Sequence, residues 1–397
     1  MRASVSSLLP RFLLALAGGA VAAAAAEALL RRVSPERPSF YAPDPEALYR
    51  LRPGTKARYH YPWMAPAEEV EVAIDSRGFR GPELSPRKTG RRVVVYGDSF
   101  IEARSTRLED TFPARLEGEL RQRGAGPVEV VNAGVSGYGP DQVLARLDAE
   151  LLELQPDLVV LGLYAGNDWG DVVRDQLFAL GPDGRLRRGS PVLDDTLRSA
   201  IEQRTGWRAL ATVRAASRLW AELGAPAPAA AAETPSTESV LRDCEREYVD
   251  AVDHPGRVTN LFRDHYDADV SVRPRSESAA YKRRLMAAVL AEAGRRAAAR
   301  SVPLLLVAIP AGSDVVANHP HRVDAARFPE YRPDALTGAI EEIAARAGLP
   351  LVNLFGPFYE RRDRGLFYPI DGHWNASAQA LAARLTAERI AADRLLP

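Results

Sequence analysis

The chain of 397 residues contains a single cysteine, Cys244. A lone thiol forms no intrachain disulfide, and without a Cys-x-x-Cys pair or a Cys/His cluster there is no zinc module to read. An excess of charge of either sign is also missing: Lys+Arg and Asp+Glu stand at 52 each, for a formal net charge of zero. That balance excludes a dominant polybasic surface, and with it nucleic acid as the default partner. Lysine is scarce, with only Lys56, Lys88 and Lys282 among the 52 basic residues. Beside so much alanine and proline this reads as the codon bias of a GC-rich genome, and no function attaches to it. What remains is ordinary globular composition, 46% hydrophobic and 7% aromatic, enough for one large domain or two average ones.

One long apolar run is present, from Phe12 to Leu30, broken by Glu27 and flanked by Arg11 and Arg31-Arg32. At about 1.5 Å per residue a helix of this length just crosses a ~30 Å hydrocarbon core. Its many alanines insert weakly, and Ala22-Ala23-Ala24 offers small residues to a signal peptidase, so a cleaved signal peptide rivals an uncleaved anchor. Both place the domain outside the cytoplasm, periplasmic in a Gram-negative cell, and an anchor adds the membrane as a partner through the N-terminal helix; a buried helix of a soluble protein is the third alternative. Three segments follow: an N-terminal signal or anchor helix (1–33), a Pro-, Tyr- and Arg-rich extension (34–90), and a main domain (91–397). The alternating run Glu69 to Ile74 in the extension predicts a half-exposed strand.

The main domain alternates strands with helices. Strands are expected at Val93–Tyr96, Val128–Asn132, Leu158–Leu163, Leu304–Ile309 and Leu351–Leu354, several as continuous aliphatic runs of the kind buried on both faces of a parallel sheet. Val143, Leu144, Leu147, Leu151 and Leu154 recur at helical spacing, with Asp141 placed to cap and Pro156 to end the run. A terminal helix follows Asn375. This predicts a three-layer α/β/α sandwich around a central parallel five-stranded sheet. The regularity fails in an insertion at about 171–278, where Gly224 to Ser239 reads as a flexible, protease-sensitive linker.

Three polar motifs close successive strands, where open parallel sheets place their sites. Tyr96-Gly97-Asp98-Ser99-Phe100 lifts a serine to the sheet rim, although Asp98-Ser99 is also what a helix cap looks like. Asn132-Ala133-Gly134-Val135-Ser136-Gly137-Tyr138-Gly139 is rich in glycines, which permit close backbone approach or simply a turn. Tyr164-Ala165-Gly166-Asn167-Asp168 offers an amide donor to a developing oxyanion, or a turn-stabilising pair. A fourth motif, Asp371-Gly372-His373-Trp374-Asn375, precedes the terminal helix. A carboxylate holding one imidazole nitrogen leaves the other free to take a proton from a serine.

Together these four blocks resemble the SGNH (GDSL-like) hydrolase family, over Arg91 to about Asp175 and again from Val302 to the end. Ile74 to Arg80 also looks like a lead-in found ahead of this domain in bacterial relatives. The resemblance implies a flavodoxin-like fold, a serine nucleophile at Ser99, an acid–base pair at Asp371 and His373, and an oxyanion hole from Ser99, Gly137 and Asn167. It implies no cofactor and no metal. Many members place two residues between the Asp and the His, and here only Gly372 intervenes. The Asp-x-His-Trp version resembles that of bacterial polysaccharide O-acetyltransferases and related esterases. The implied activity is a serine esterase cleaving acyl, foremost acetyl, esters, with acetylated carbohydrate as the implied substrate; the alternative is an O-acetyltransferase on an extracytoplasmic polysaccharide. Trp169 and Trp374 flank the site as core side chains or, alternatively, as platforms stacking on a sugar face. Two rivals stand outside this reading: a metal site from His319-Pro320-His321 with Asp314 and Asp324, and a non-catalytic carbohydrate-binding protein on the same fold.

Overall fold

The computed structural model describes residues 8–33, 40–61, 68–193, 195–201, 210–213, 215, 235–259, 261–262, 264–319, 321–369 and 371–396, and divides into two compact units. In the larger unit, residues 40–198 and 234–397, five aliphatic segments form one parallel sheet. These are β1 (Arg91–Tyr96), β2 (Val128–Asn132), β3 (Leu158–Tyr164), β4 (Leu304–Ile309) and β5 (Leu351–Asn353), in the order β5-β4-β3-β1-β2. Val93 of β1 lies opposite Val130 of β2 on one side and Leu158 of β3 on the other. Successive side chains point to opposite faces, and both faces are covered, so Val93, Val94, Leu305 and Leu306 are all fully buried.

One layer comprises α1 (Phe112–Gln122) and α7 (Ala376–Ala392), which pack side by side. Phe112 and Leu116 of α1 and Ala382 and Ala383 of α7 share a core with Val93, Val95, Leu305 and Val307. The opposite layer is built from α2 (Pro140–Leu154), α5 (Glu277–Ala298) and α6 (Ala335–Ala347), with α5 against both others. The architecture is the expected α/β/α sandwich. Because β1 sits between β2 and β3, its carboxyl end opens at the point where the chain reverses direction across the sheet, the place where such folds bind ligands.

Asn375 caps α7 as its position predicted, accepting from the Ser377 and Ala378 amides. Asp141 does not cap α2. Pro140 fixes the first helical position, Gly139 is the cap, and Gln142 Oε1 accepts from Gly139 N at 3.1 Å. Asp141 is left fully buried in the first turn, where burial pushes its carboxyl up to about 7.

Two antiparallel pairs precede the sheet, Tyr41–Asp44 with Leu48–Leu51 and Lys56–Tyr61 with Glu68–Ala73. In the last strand Val70 and Val72 are buried while Glu69 and Glu71 are exposed, the alternation read from the sequence. Within the insertion, α3 (Asp168–Arg174) leads to a hairpin, Phe178–Leu180 with Leu186–Arg188, and later to α4 (Thr237–Asp253). Of the expected linker, residues 224–234 lie outside the described residues. Its end is a correction: Thr237–Ser239 are helical, with the Ser236 side chain accepting from Ser239 N, so serine here caps a helix rather than loosening a loop.

The smaller unit, residues 1–39 and 199–233, contains the helix Leu8–Val33. Its segment Arg11–Val33 is long and apolar enough to cross a membrane. Glu27 on this helix accepts hydrogen bonds from Ala211 N at 2.9 Å and from Thr212 N and Oγ1 at 3.0 Å each.

Lys282 in α5 is fully buried, with Nζ 2.7 Å from Asp267 and 3.0 Å from Asp269. Asp267 in turn accepts from Gly170 N at 2.9 Å, and its own amide donates to Gly166 O. Removing the cation strands two buried carboxylates. Lys282→Met should therefore destabilise the protein by about 3–5 kcal/mol, read as a lowered midpoint in urea unfolding. A midpoint within error of wild type would mean that the ammonium is not what holds this pair.

Candidate active site

The turn after β1 is shaped by close packing. Gly97 has φ +154, and a Cβ there would lie 2.4 Å from Ile101 and 2.9 Å from Gly162 O, so only glycine fits. Ser99 then opens a four-residue helix, Ser99–Glu102, whose cap is Asp98, accepting from Phe100 N at 2.9 Å. The cap reading of Asp98 is thus correct, and it presents Ser99 at the sheet rim.

His373 reaches Ser99 from the other end of the chain, Nε2 to Oγ at 2.8 Å. The short Asp-x-His spacing has a visible consequence. Asp371 Oδ1 accepts from the His373 backbone amide at 3.0 Å, its carbonyl lies 3.2 Å from Nδ1, and its nearest carboxylate oxygen is 3.6 Å from Nδ1. The ring is therefore oriented by the Asp371 carbonyl, with the carboxylate acting as a close charge beyond hydrogen-bond range. Burial pulls the His373 pKa down, but Asp371 and then Asp98 outweigh it and hold the group above its ordinary value. Asp371 is held below the usual carboxylate range, with His373 opposing the cost of burial. Asp98 is pushed up to about 7 by burial, against the Phe100 amide and the charge of His373.

Asn167 caps α3 one strand away and faces the same cavity as Ser99 and His373, a space of about 420 Å³. Its Nδ2 makes no hydrogen bond to any described residue, and its Oδ1 is buried and unpaired among them. Gly137 follows β2 with φ +78, and a Cβ there would lie 2.8 Å from Tyr49 Oη. Its amide likewise donates to no described residue, as does that of Ser99. Gly137 does not line the cavity, since Leu261 and Phe262 of the insertion stand against it.

The tryptophans are core. Trp169 is 0% and Trp374 1% exposed, so neither presents a face for a sugar, and the stacking alternative is overturned. Trp374 Nε1 donates to Phe100 O at 2.8 Å, and the ring packs against Phe112 and Phe100. The proposed metal ligands do not converge either. His319 and His321 line the cavity, but Asp314 Oδ1 accepts from the hydroxyls of Tyr266 at 2.8 Å and Tyr331 at 2.9 Å, and Asp324 Oδ1 accepts from Ala326 N. Among the described residues the grouping that could hold a metal is Cys244, Asp267 and Asp269, and Lys282 Nζ already bonds both carboxylates.

Sequence reasoning missed three supports. Glu102, one helical turn after Ser99 and fully buried, accepts from Ser136 N and Oγ at 2.6 Å each, tying the serine turn to the Gly137 loop. Asp267 and Lys282, from the insertion and α5, hold the Asn167 loop through Gly166 and Gly170. The insertion also supplies cavity wall, through Thr237, Asp264, His265 and Tyr266. The one signal for any of these was Lys282, one of three lysines in a chain whose other basic residues are arginine.

Residues 95–381 match the GDSL-like lipase/acylhydrolase family. No curated protein matches the chain. Solved structures similar to it include TesA, at 17% identity over 76% of this chain and 98% of that one, with a TM-score of 0.37. The lipase/acylhydrolase from Enterococcus faecalis is 14% identical over 76% and 96%, at 0.35. A catalytic mutant of Axe2, an acetylxylan esterase from Geobacillus stearothermophilus, is 14% identical over 77% and 96%, at 0.38.

Transfer of the Ser99 proton to His373 requires the neutral ring, so reactivity should rise with pH through the His373 ionisation. With the group held above its usual ~6.5, the midpoint should lie above that value. Asp371→Asn removes the larger of the charges raising it and should move the midpoint down. The rate of Ser99 labelling by a fluorophosphonate across pH checks both, and an unchanged midpoint in the variant would exclude Asp371 as the source of the shift.

Proposed function

Because the chain belongs to the GDSL-like lipase/acylhydrolase family, we propose that it is a serine esterase that cleaves small acyl groups, foremost acetyl, from carbohydrate, acting outside the cytoplasm behind its N-terminal apolar helix. The observation that carries this reading is the 2.8 Å contact between Ser99 Oγ and His373 Nε2 at the rim of β1. The acetyl preference is supported by the Asp371-Gly372-His373-Trp374 spacing and the carbohydrate by the polar side chains of Asp264, His319 and His321 in the cavity lining; the location is supported by the length and composition of the helix.

In this mechanism Ser99 Oγ attacks the ester carbonyl as its proton passes to His373 Nε2. The carbonyl oxygen gains negative charge and is received by the Ser99 amide and by Asn167 Nδ2, donors without partners among the described residues, while Gly137, which does not line the cavity, takes no part in this reading. The tetrahedral species collapses, the bond to the alcohol oxygen breaks, and His373 delivers its proton to that oxygen. Water, deprotonated by His373, then attacks the acyl-enzyme; carboxylic acid leaves and Ser99 recovers its proton. Asp371 steadies the imidazolium formed in each half.

A panel of acetyl, butyryl and longer esters, with acetylated oligosaccharides, tests the assignment. Hydrolysis falling with acyl length is expected. Transfer of the acetyl group to an added oligosaccharide in preference to water would replace hydrolase by O-acetyltransferase, and no turnover at all would leave a binding protein.

Ser99→Ala should abolish turnover without changing the melting temperature, and adding His373→Ala should cost little more, because the two act as a unit. A double variant far below either single one would contradict that shared role. Asn167→Ala should lower kcat by roughly a hundredfold or more with KM little changed, as expected for a donor that bonds only the oxyanion. An effect confined to KM would make it a ground-state contact instead.

A further inference from the structure

Two residues that line the Ser99 cavity, His319 and Asp264, are not used in the mechanism above. Resting on the esterase reading, we propose that they bind the alcohol side of the ester, and that this alcohol is an uncharged polyhydroxyl compound, a neutral sugar.

His319 has a fixed tautomer. Its Nδ1 accepts from His321 N at 3.1 Å, so the proton of the neutral ring sits on Nε2. Burial and the neighbouring His321 push its pKa down to about 4, which keeps the ring neutral at the pH where the esterase works. Nε2 bonds to no described residue. It lies 3.4 Å from where a side chain on Gly312 would begin, and Gly312 lines the same cavity. Glycine at 312 thus leaves this N–H donor uncovered.

Asp264 supplies the acceptor. Its side chain is 40% exposed in the cavity wall, and Arg174, the nearest cation, is 4.0 Å away and already engaged by Asp171 and Glu247. Protonated His265 offers no free positive charge, because its Nε2 is 3.0 Å from Glu247.

A neutral donor and an anionic acceptor lining one cavity suit hydroxyl groups, which both accept and donate. An acidic alcohol, such as a uronate or a phosphorylated sugar, would meet Asp264 and Asp371 with no free cation among the described cavity residues to offset them. A purely aliphatic alcohol would leave both polar groups unpaired in the complex.

Three esters test this: 4-nitrophenyl acetate, methyl 3-O-acetyl-β-D-glucopyranoside, whose other hydroxyls are free, and the corresponding 3-O-acetyl methyl glucuronide with a free carboxylate. Wild type should favour the glucoside over the glucuronide in kcat/KM by about tenfold or more. His319→Phe should lower the ratio of glucoside to 4-nitrophenyl acetate turnover by about fivefold to tenfold, the weight of one hydrogen bond. His319→Gln, which returns an N–H donor, should restore most of it. Asp264→Asn should narrow the discrimination against the glucuronide, and this provides an independent reading if His319→Phe fails to fold. Equal loss on all esters, no change in either ratio, or a wild-type preference for the glucuronide overturns the proposal while the esterase stands. No turnover of any ester by wild type, with Ser99 unlabelled by fluorophosphonate, overturns the esterase reading and this inference with it.

Discussion

Two adjacent residues near the C-terminus are fastened to two adjacent residues after the first core strand. His373 Nε2 meets Ser99 Oγ, and Trp374 Nε1 donates to the carbonyl of Phe100, each at 2.8 Å. The second bond fixes the geometry of the first. The indole is 1% exposed and packs between Phe100 and Phe112, so its N–H has no water to fall back on. An unmade bond there would cost roughly 1–3 kcal/mol. The loop therefore has one register against the serine turn, and α7, capped by Asn375 immediately afterwards, anchors that register in the sandwich. A tryptophan beside the histidine is a structural requirement here, which is why it cannot also be a sugar platform.

That fastening lets electrostatics act over short distances. Asp98, Asp168 and Asp171 are all buried near the rim of β1 and β3, and burial raises the pKa of each. The charge of His373 lowers the pKa of Asp98, and the charge of Asp98 raises that of His373. When the ring takes a proton, the neighbouring carboxylate becomes easier to ionise, and its charge steadies the imidazolium in return. In the proposed mechanism, with the Asp371 carboxylate turned onto a backbone amide, this second acid would add to the support that a directly hydrogen-bonded carboxylate provides in a Ser-His-Asp arrangement.

The strands were legible because burial on both faces leaves a continuous aliphatic signature, and four of the polar blocks were legible because each lies within a few residues of a strand end or helix start. What escaped is what depends on partners far away in sequence. Glu102 reads as an ordinary acid on a short helix, and only the return of the chain at Ser136 gives it a role. Asp267 and Lys282 lie in or beyond a stretch with no periodic pattern, yet they fix Gly166 and Gly170 on either side of Asn167. Asp141 was misread because a cap and a buried first-turn acid differ only by the one-residue offset that Pro140 imposes. Trp169 and Trp374 were ambiguous because the sequence places them beside the site without saying which way they face.

The loops around the serine turn are braced by parts of the chain outside the sandwich core. Tyr49, from the extension, donates to the carbonyl of Ser136, while Arg104 bonds Glu102 at 2.6 Å and lies over the rings of Phe40 and Tyr41. These contacts hold the Gly137 loop from the extension side. Asp267, from the insertion, holds the Asn167 loop from the other. Donors aimed at a charge that exists only in the transition state are effective to the extent that they need not move to meet it. A five-stranded sheet fixes strand ends, but the loops beyond them gain rigidity only from what packs on top. In the proposed mechanism the extension and the insertion therefore belong to the geometry of the site rather than being additions to it, and His319 and Asp264 line the cavity in which differences among alcohols would be read.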